Sequence, residues 1–220
     1  METIKNKKHL LLSTLICLSP IAMYLLVYNQ LPDYMVQHWG VGGTPTWAAP
    51  KQFAIFILPV TLAVLHLIVT TIVTSDSAVR NNPKKIQNMT LWLVPVISVF
   101  TNLAILLANL DTNLNIGTVI LPFVGLLFIV IGNYLPKTRQ NYFIGIRVPW
   151  TLNNTDNWYK THKLAGKTCI LAGFLFIIGA SLPQNLDVFR ALFISALLLI
   201  AIIPIAYSYI LHREQKNNNR

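Results

Sequence analysis

The chain contains 220 residues, of which 54% are hydrophobic and only 11% are charged. Such a balance excludes an ordinary soluble domain and is typical of a membrane protein. Seventeen Lys and Arg residues against seven Asp and Glu residues give a net charge of +10, which in a soluble chain would indicate nucleic-acid binding. Here the basic residues lie in the gaps between apolar runs, so the pattern predicts a lipid bilayer as partner and no direct contact with nucleic acid.

Six apolar stretches are long enough to cross a bilayer core of about 30 Å as helices. They cover residues 10–28, 53–74, 90–110, 116–135, 166–182 and 190–211. Because backbone groups in lipid must be hydrogen-bonded internally, we predict an all-α, polytopic membrane protein with six transmembrane helices. The first stretch follows three lysines but lacks a small-residue cleavage site, so we interpret it as an uncleaved helix.

The Lys and Arg residues are divided unequally between alternate loops. Fifteen lie in the N-terminal tail, residues 75–89, residues 136–167 and the C-terminal tail, whereas the other loops hold only Lys51 and Arg190. Because cytoplasmic loops are enriched in Lys and Arg, the pattern predicts that both termini are cytoplasmic.

The predicted organisation has two domains. Residues 1–89 form a two-helix unit with an extracellular loop at 29–52. Residues 90–220 form a four-helix unit with a cytoplasmic stretch at 136–167, which we call the central interval.

Few residues within the predicted spans suggest chemistry. Five of the six spans contain proline, which is common in membrane helices. His66 lies in the second span with no intramembrane Asp or Glu to pair with it, so a neutral packed side chain and a functional residue stand as alternatives. Cys17 and Cys169 lie in apolar runs, and we predict buried thiols rather than a disulfide or a metal site.

The first outward loop, residues 29–51, is rich in glycine, proline and aromatic residues. One interpretation is a turn-rich loop whose tryptophans lie in the bilayer interface. The other is a preformed platform for a ligand, contacted by His38, Trp39 and Trp47, in which Asp33 and His38 make a pH-sensitive pair.

The central interval begins with a segment, residues 142–150, that favours an extended or turning backbone. Arg147 lies between apolar neighbours there, so its guanidinium is expected to meet a carboxylate, a backbone carbonyl or a lipid phosphate. From Trp158 onward the spacing is helical. The capping residues before it predict a helix that starts near residue 156 and runs into the fifth span.

This helix has two faces. At 100° per residue, Trp158 and His162 lie on one face, and we expect them to pack against the bundle. Lys160, Lys163 and Lys167 lie on the other face, where they meet water, anionic headgroups or a partner. Pairs of small residues repeat every seven positions farther along, which allows a neighbouring helix to approach closely.

The sequence contains no enzyme signature: it has no zinc-protease motif, no nucleophile elbow, no phosphate-binding loop and no Cys/His ligand cluster. Asp156 and His162 are six residues apart, which places them on different faces of a helix. We therefore predict that the chain is not an enzyme and has neither a cofactor nor a metal site.

The stretch NYFIGIRVPWTL, followed by NWYKTHKLAGK, lies within residues 141–167 and closely resembles the signature of the SdpI family of bacterial membrane proteins. From this resemblance we identify a candidate signature and partner surface on the cytoplasmic side. It consists of Asn141, Gly145, Arg147, Pro149, Trp150, Trp158, Lys160, His162, Lys163 and Lys167.

The first loop resembles the domain of unknown function that commonly precedes this signature. The matching residues are Leu31, Pro32, His38, Trp39, Gly43, Pro45, Trp47 and Lys51. The sequence departs from that pattern at Thr46, where an acid is usual, and at Gly40, where Asn is usual.

The resemblance implies an integral membrane immunity protein of the bacterial plasma membrane, which gives resistance to a secreted antimicrobial peptide or toxin. The candidate toxin contacts are His38, Trp39 and Trp47. For the family's namesake it also implies a signalling receptor that holds a cytoplasmic transcriptional repressor at the membrane. The alternatives are a small-molecule or ion transporter, and a membrane enzyme with Arg147 and His162 near the headgroups.

Overall fold

The computed structural model of the protein describes residues 7–40, 43–75, 79, 81–111, 114–182 and 186–218. Within these residues, six helices are long and apolar enough to cross a membrane, which confirms the prediction of a six-span membrane protein. They are Lys7–Leu26, Lys51–Thr74, Lys84–Leu110, Ile116–Lys137, Thr155–Ser181 and Arg190–Asn217.

The regular elements of the described chain include one pair of strands that the sequence did not predict. In chain order, the first elements are α1 (Lys7–Leu26), β1 (Tyr34–Trp39), β2 (Pro45–Pro50), α2 (Lys51–Ser75), α3 (Lys84–Leu110) and α4 (Ile116–Tyr134). They are followed by α5 (Pro149–Leu152), α6 (Thr155–Ser181), α7 (Leu186–Leu197) and α8 (Ile203–Asn218). A π-helical turn at Leu198–Ile202 joins α7 to α8.

Helix α6 begins well before its apolar run, as predicted. Asn154 is its N-cap, and the Asn154 side chain accepts a hydrogen bond from the backbone N–H of Asn157 at 2.9 Å. Asp156 lies in the first turn, where its negative charge favours the positive end of the helix dipole. The helix then continues without interruption for 27 residues to Ser181.

The contacts divide the chain into two compact units. The first comprises Met1–Ser75 and Gln87–Ile120, and the second comprises Asp76–Ile86 and Leu121–Arg220. Most of α3 therefore packs with α1, α2 and the hairpin formed by β1 and β2.

Polar side chains connect the helices of the first unit. The Tyr24 hydroxyl of α1 donates to the backbone carbonyl of Asn102 in α3 at 3.0 Å. The Ser98 hydroxyl of α3 donates to the backbone carbonyl of Cys17 in α1 at 2.8 Å. All four residues are buried, so these bonds specify how α1 and α3 align in apolar surroundings.

Glycines bring α4 and α6 into close contact in the second unit. A methyl group added at Gly173 would lie 2.5 Å from the carbonyl oxygen of Gly125, and one at Gly166 would lie 2.6 Å from that of Gly132. The glycines are seven residues apart in each helix, so the helices run antiparallel with backbones in contact at two successive levels. This confirms the close approach predicted from the small pairs of α6.

Candidate functional site

The loop after α1 forms an antiparallel hairpin seated on the helices of the first unit. Met35 of β1 and Ala49 of β2 are paired and buried, and they join a core cluster that includes Tyr24, Ile55 and Leu106. Neither interpretation of this loop included strands, since its many glycines and prolines indicate turns. The buried face of the hairpin carries small or flexible residues that periodicity does not reveal.

Asn109 of α3 fixes the outer edge of β1. Its Oδ1 accepts a hydrogen bond from the Val36 backbone N–H at 2.7 Å, and its Nδ2 donates to the Val36 carbonyl at 2.9 Å. The carboxamide therefore bonds the strand as a residue of a third strand would. At the other end of the hairpin, Lys51 makes an ion pair with Asp33 at 3.1 Å.

The three candidate toxin contacts lie together on the anchored hairpin. His38 is paired across the strands with Trp47, and Trp39 with Pro45. His38 and Trp47 are exposed, whereas Trp39 is half-buried. Large aromatic side chains held on a fixed backbone lose little entropy on binding, so this arrangement suits recognition of an apolar partner.

The pairing of His38 with Asp33 that we considered is wrong. The Asp33 carboxylate bonds Lys51, and the His38 Nδ1 lies 2.6 Å from the Thr46 hydroxyl. That hydroxyl donates to the His38 carbonyl at 3.2 Å, so it accepts from the His38 Nδ1–H. Thr46 stands where the related domain usually carries an acid, and here it serves as a neutral partner of His38.

In the central interval, the Asn141 side chain organises the turn that begins the signature. Its Oδ1 accepts from the backbone N–H groups of Phe143 and Ile144 at 2.8 and 2.7 Å, and its Nδ2 donates to the Arg139 carbonyl at 2.7 Å. Asn141 is buried, and its carboxamide replaces the regular hydrogen bonds that this segment lacks. The segment is non-helical from residue 142 to residue 148, as predicted, whereas Pro149 and Trp150, which the prediction also included, belong to helix α5.

Gly145 and His162 meet in the centre of this segment. Gly145 has a φ of +113°, a conformation that side chains disfavour, and a methyl group there would overlap the His162 imidazole. The His162 Nε2 accepts a hydrogen bond from the Ile146 backbone N–H at 3.0 Å. Since a backbone N–H only donates, the His162 proton is on Nδ1, which donates to the Trp158 carbonyl at 2.8 Å.

Trp158 completes the buried face of α6. Its ring stacks on His162 with 4.0 Å between ring centroids, and its Nε1–H donates to the Thr138 carbonyl at 3.0 Å. Both rings are buried, which confirms the predicted packed face. With both imidazole nitrogens bonded, His162 is a structural residue in this conformation and offers no free base for catalysis.

A second polar cluster holds the end of the signature against α8. The Trp150 Nε1–H donates to the Ser208 hydroxyl at 2.5 Å, and the Asn157 Nδ2 donates to the Ser208 carbonyl at 2.9 Å. The Trp150 ring also stacks on His212 with centroids 5.9 Å apart. Pro149 opens α5, which orients Trp150 toward this cluster.

Sequence reasoning missed Asn157, Ser208 and Thr151, all fully buried. Thr151 was detectable, because a hydroxyl within a recognised signature commonly bonds the local backbone, and its Oγ1 donates to the Ile146 carbonyl at 2.8 Å. Asn157 and Ser208 carry no such local signal, since they meet across 51 residues of sequence.

The remaining signature residues are cationic and exposed. Arg147 donates from Nη1 to the Tyr142 carbonyl at 2.8 Å. Of the three expected partners, a carboxylate, a backbone carbonyl and a lipid phosphate, the structure therefore shows the backbone carbonyl. Lys163 and Lys167 are exposed on the predicted outer face of α6. Lys160 is on the same face but is not free, because it pairs with Asp156 at 2.8 Å.

His66 is fully buried in the first unit, with its Nε2 2.8 Å from the Ser13 hydroxyl. Because Ser13 donates its own hydrogen to the Leu10 carbonyl, it accepts from the His66 Nε2–H. The pair joins α1 to α2, which favours the packed interpretation of His66. Among the described residues, no group of His, Cys, Asp and Glu is arranged to hold a metal ion.

Known protein families match both the region of the hairpin and the region of the central interval. The SdpI/YfhL protein family is matched over residues 137–208, and the domain of unknown function DUF1648 over residues 15–63. Immunity protein SdpI of Bacillus subtilis (strain 168) is 29% identical over 174 residues, which cover 78% of this chain and 81% of that protein. No solved structure matches the chain. The C-terminal part of the chain is therefore similar to the SdpI/YfhL protein family, and the N-terminal part, which contains the hairpin, is similar to DUF1648.

Proposed function

We propose that the chain is an immunity protein of the bacterial plasma membrane, which protects its cell from a secreted antimicrobial peptide. The observation that carries this proposal is the similarity to Immunity protein SdpI, because it extends over most of both chains. The absence of an intramembrane acid from the sequence weighs against a proton-coupled transporter.

The hairpin is the surface that we propose for contact with the peptide. It exposes Trp47 and Tyr34 by 54% and 66% on strands that are anchored by Met35 and Asn109. An anchored aromatic surface is the composition that dominates binding energy in protein interfaces.

The charge distribution supports an orientation with the hairpin outside and the central interval in the cytoplasm. A membrane-impermeant thiol reagent applied to intact cells should modify Thr44→Cys on the hairpin and leave Asn153→Cys unmodified. Labelling of Asn153→Cys would reverse the orientation and remove the hairpin from the proposed role.

In the cytoplasm, the proposal extends to a second partner, a transcriptional repressor held at the membrane. Arg147, Lys163 and Lys167 support this step, because they are exposed beside a rigid scaffold and would attract an acidic surface. The same residues suit anionic headgroups, so a cytoplasmic protein must be captured directly for this step to hold.

The immunity proposal is tested by expressing the chain in a sensitive strain and measuring survival against a panel of secreted killing peptides. Wild-type chain should raise survival for at least one peptide. The double variant Trp39→Ala, Trp47→Ala should lose most of this protection at unchanged membrane levels, since each contact contributes about 1–3 kcal/mol.

Tyr159→Ala is the matched control, because Tyr159 is as exposed as Trp47 but lies on α6. Its protection should equal that of the wild type. Full protection by the double variant would move peptide recognition away from the hairpin, and no protection by the wild type would reject the immunity function.

A further inference from the structure

The two edges of the hairpin differ in how their backbone groups are satisfied. The Lys51 N–H donates to the Asp33 carbonyl at 2.9 Å, so residues 33 and 51 form a hydrogen-bonded pair of the antiparallel ladder. Hydrogen-bonded and non-hydrogen-bonded pairs alternate in such a ladder. The pair Val36–Ala48, three steps along, is therefore non-hydrogen-bonded, and the N–H and C=O of both residues point away from the partner strand.

Asn109 confirms this alternation independently. It bonds both the N–H and the C=O of Val36, which requires both groups to point outward from β1. By the same geometry, the N–H and C=O of Ala48 point outward from β2. Ala48 is exposed, and none of the described residues bonds its backbone groups.

We propose that the outer edge of β2 receives an extended, apolar segment of the secreted peptide, which adds a third strand through the Ala48 N–H and C=O. This inference rests on the proposed function and names how the peptide is held. Addition of a strand to an open edge supplies main-chain hydrogen bonds, while neighbouring side chains select the sequence.

Two properties of the edge define the occupant. Pro45 and Pro50 bound β2, so only a short segment can pair there and longer edge-to-edge association is disfavoured. The charges of Asp33 and Lys51 neutralise each other at 3.1 Å, and the exposed side chain next to Ala48 is Trp47. An uncharged extended segment with apolar side chains complements this surface.

The test uses Ala48→Pro, which removes one outward N–H and is tolerated on an edge strand because that N–H makes no ladder bond. Ala48→Val is the matched control, since it keeps the N–H and suits a strand. For a peptide against which the wild type protects, the concentration giving half survival should fall about fivefold with Ala48→Pro, the equivalent of one hydrogen bond. It should be unchanged with Ala48→Val.

A second measurement does not depend on the folding of a variant. In the purified wild-type chain, hydrogen exchange of the Ala48 amide should slow at least tenfold when the same peptide is added. The Ala49 amide, which belongs to the hydrogen-bonded pair with Met35, should be protected with or without peptide.

Unchanged Ala48 exchange together with full protection by Ala48→Pro would overturn strand addition while leaving the immunity function intact. Slowed Ala48 exchange without peptide, increasing with protein concentration, would also overturn it and assign the edge to a second copy of the chain. Failure of the wild type to protect against any peptide would reject both proposals.

Discussion

The hairpin and the central interval use their distinctive residues in opposite ways. In the central interval, Trp158 and His162 point inward and use their polar atoms to hold the backbone of the same interval. In the hairpin, Asn109 and Met35 hold the backbone in place, and neither is one of the residues that carry the resemblance. The Trp47 side chain, which is one of them, is left exposed.

This contrast shows that residues which define a sequence signature can be required to hold the backbone, and not only to contact a partner. Most of the central-interval residues that carry the resemblance form a scaffold, and the accessible side chains there are chiefly the cations, together with Tyr142 and Tyr159. The hairpin has a sparser pattern, and it leaves the aromatic side chains of Tyr34 and Trp47 exposed. Variants that change the scaffold or the exposed surface separately test this distinction.

The largest effect is expected at Gly145. Gly145→Ala combines an unfavourable φ with overlap between the new methyl group and the His162 ring, and we expect a loss of about 3 kcal/mol or more in stability. Membrane levels and the thermal unfolding midpoint in detergent should both fall.

Gly179→Ala is the control in the same unit, because a methyl group there would meet its nearest neighbour, Leu192, at an ordinary 3.5 Å. Its stability should stay close to that of the wild type. A Gly145→Ala chain as stable as Gly179→Ala would show that the signature is not the rigid scaffold described above.

An intermediate effect is expected for Asn109→Leu, which removes two hydrogen bonds to Val36 and should cost about 2 kcal/mol. Because the loss is at the edge of β1, amide exchange should accelerate in the hairpin more than in the helices. Leu110→Ala, an exposed neighbour on α3, should leave hairpin exchange unchanged. Equal exchange in the two variants would mean that the hairpin is held without Asn109.

The smallest effect on stability is expected for the triple variant Lys160→Gln, Lys163→Gln, Lys167→Gln. Exposed charges of this kind contribute little, so unfolding should change by less than about 1 kcal/mol and survival should be unaffected. Capture of a cytoplasmic repressor should weaken through the loss of Lys163 and Lys167, by about 1 kcal/mol for each near an acidic surface or anionic lipid, whereas Lys160 is already paired with Asp156. Joint loss of protection and capture at normal membrane levels would show that both depend on one surface.

The six spans and the two faces of α6 were predictable because they follow from apolar length and from a period of 3.6 residues. The hairpin was not, since glycine and proline obscure its alternation and its anchor, Asn109, is 73 residues from Val36. In the central interval, the inward face of Trp158 and His162 was predictable, but the orientation of Trp150 depends on a distant partner, Ser208.

The π-helical turn before Pro204 determines which residues of the last span face α6. Pro204 has no N–H for the preceding turn, and the chain there accommodates an extra residue at Leu198–Ile202. Ala196 and Ser208, both fully buried, are twelve residues apart and would differ by about 120° on a regular helix. With one residue absorbed by the turn, they differ by only about 20°, so both face α6. The extra residue thus rotates the part of the span after the turn so that Ser208 faces α6. Deletion of a single residue within the turn would rotate Ser208 away from both Asn157 and Trp150.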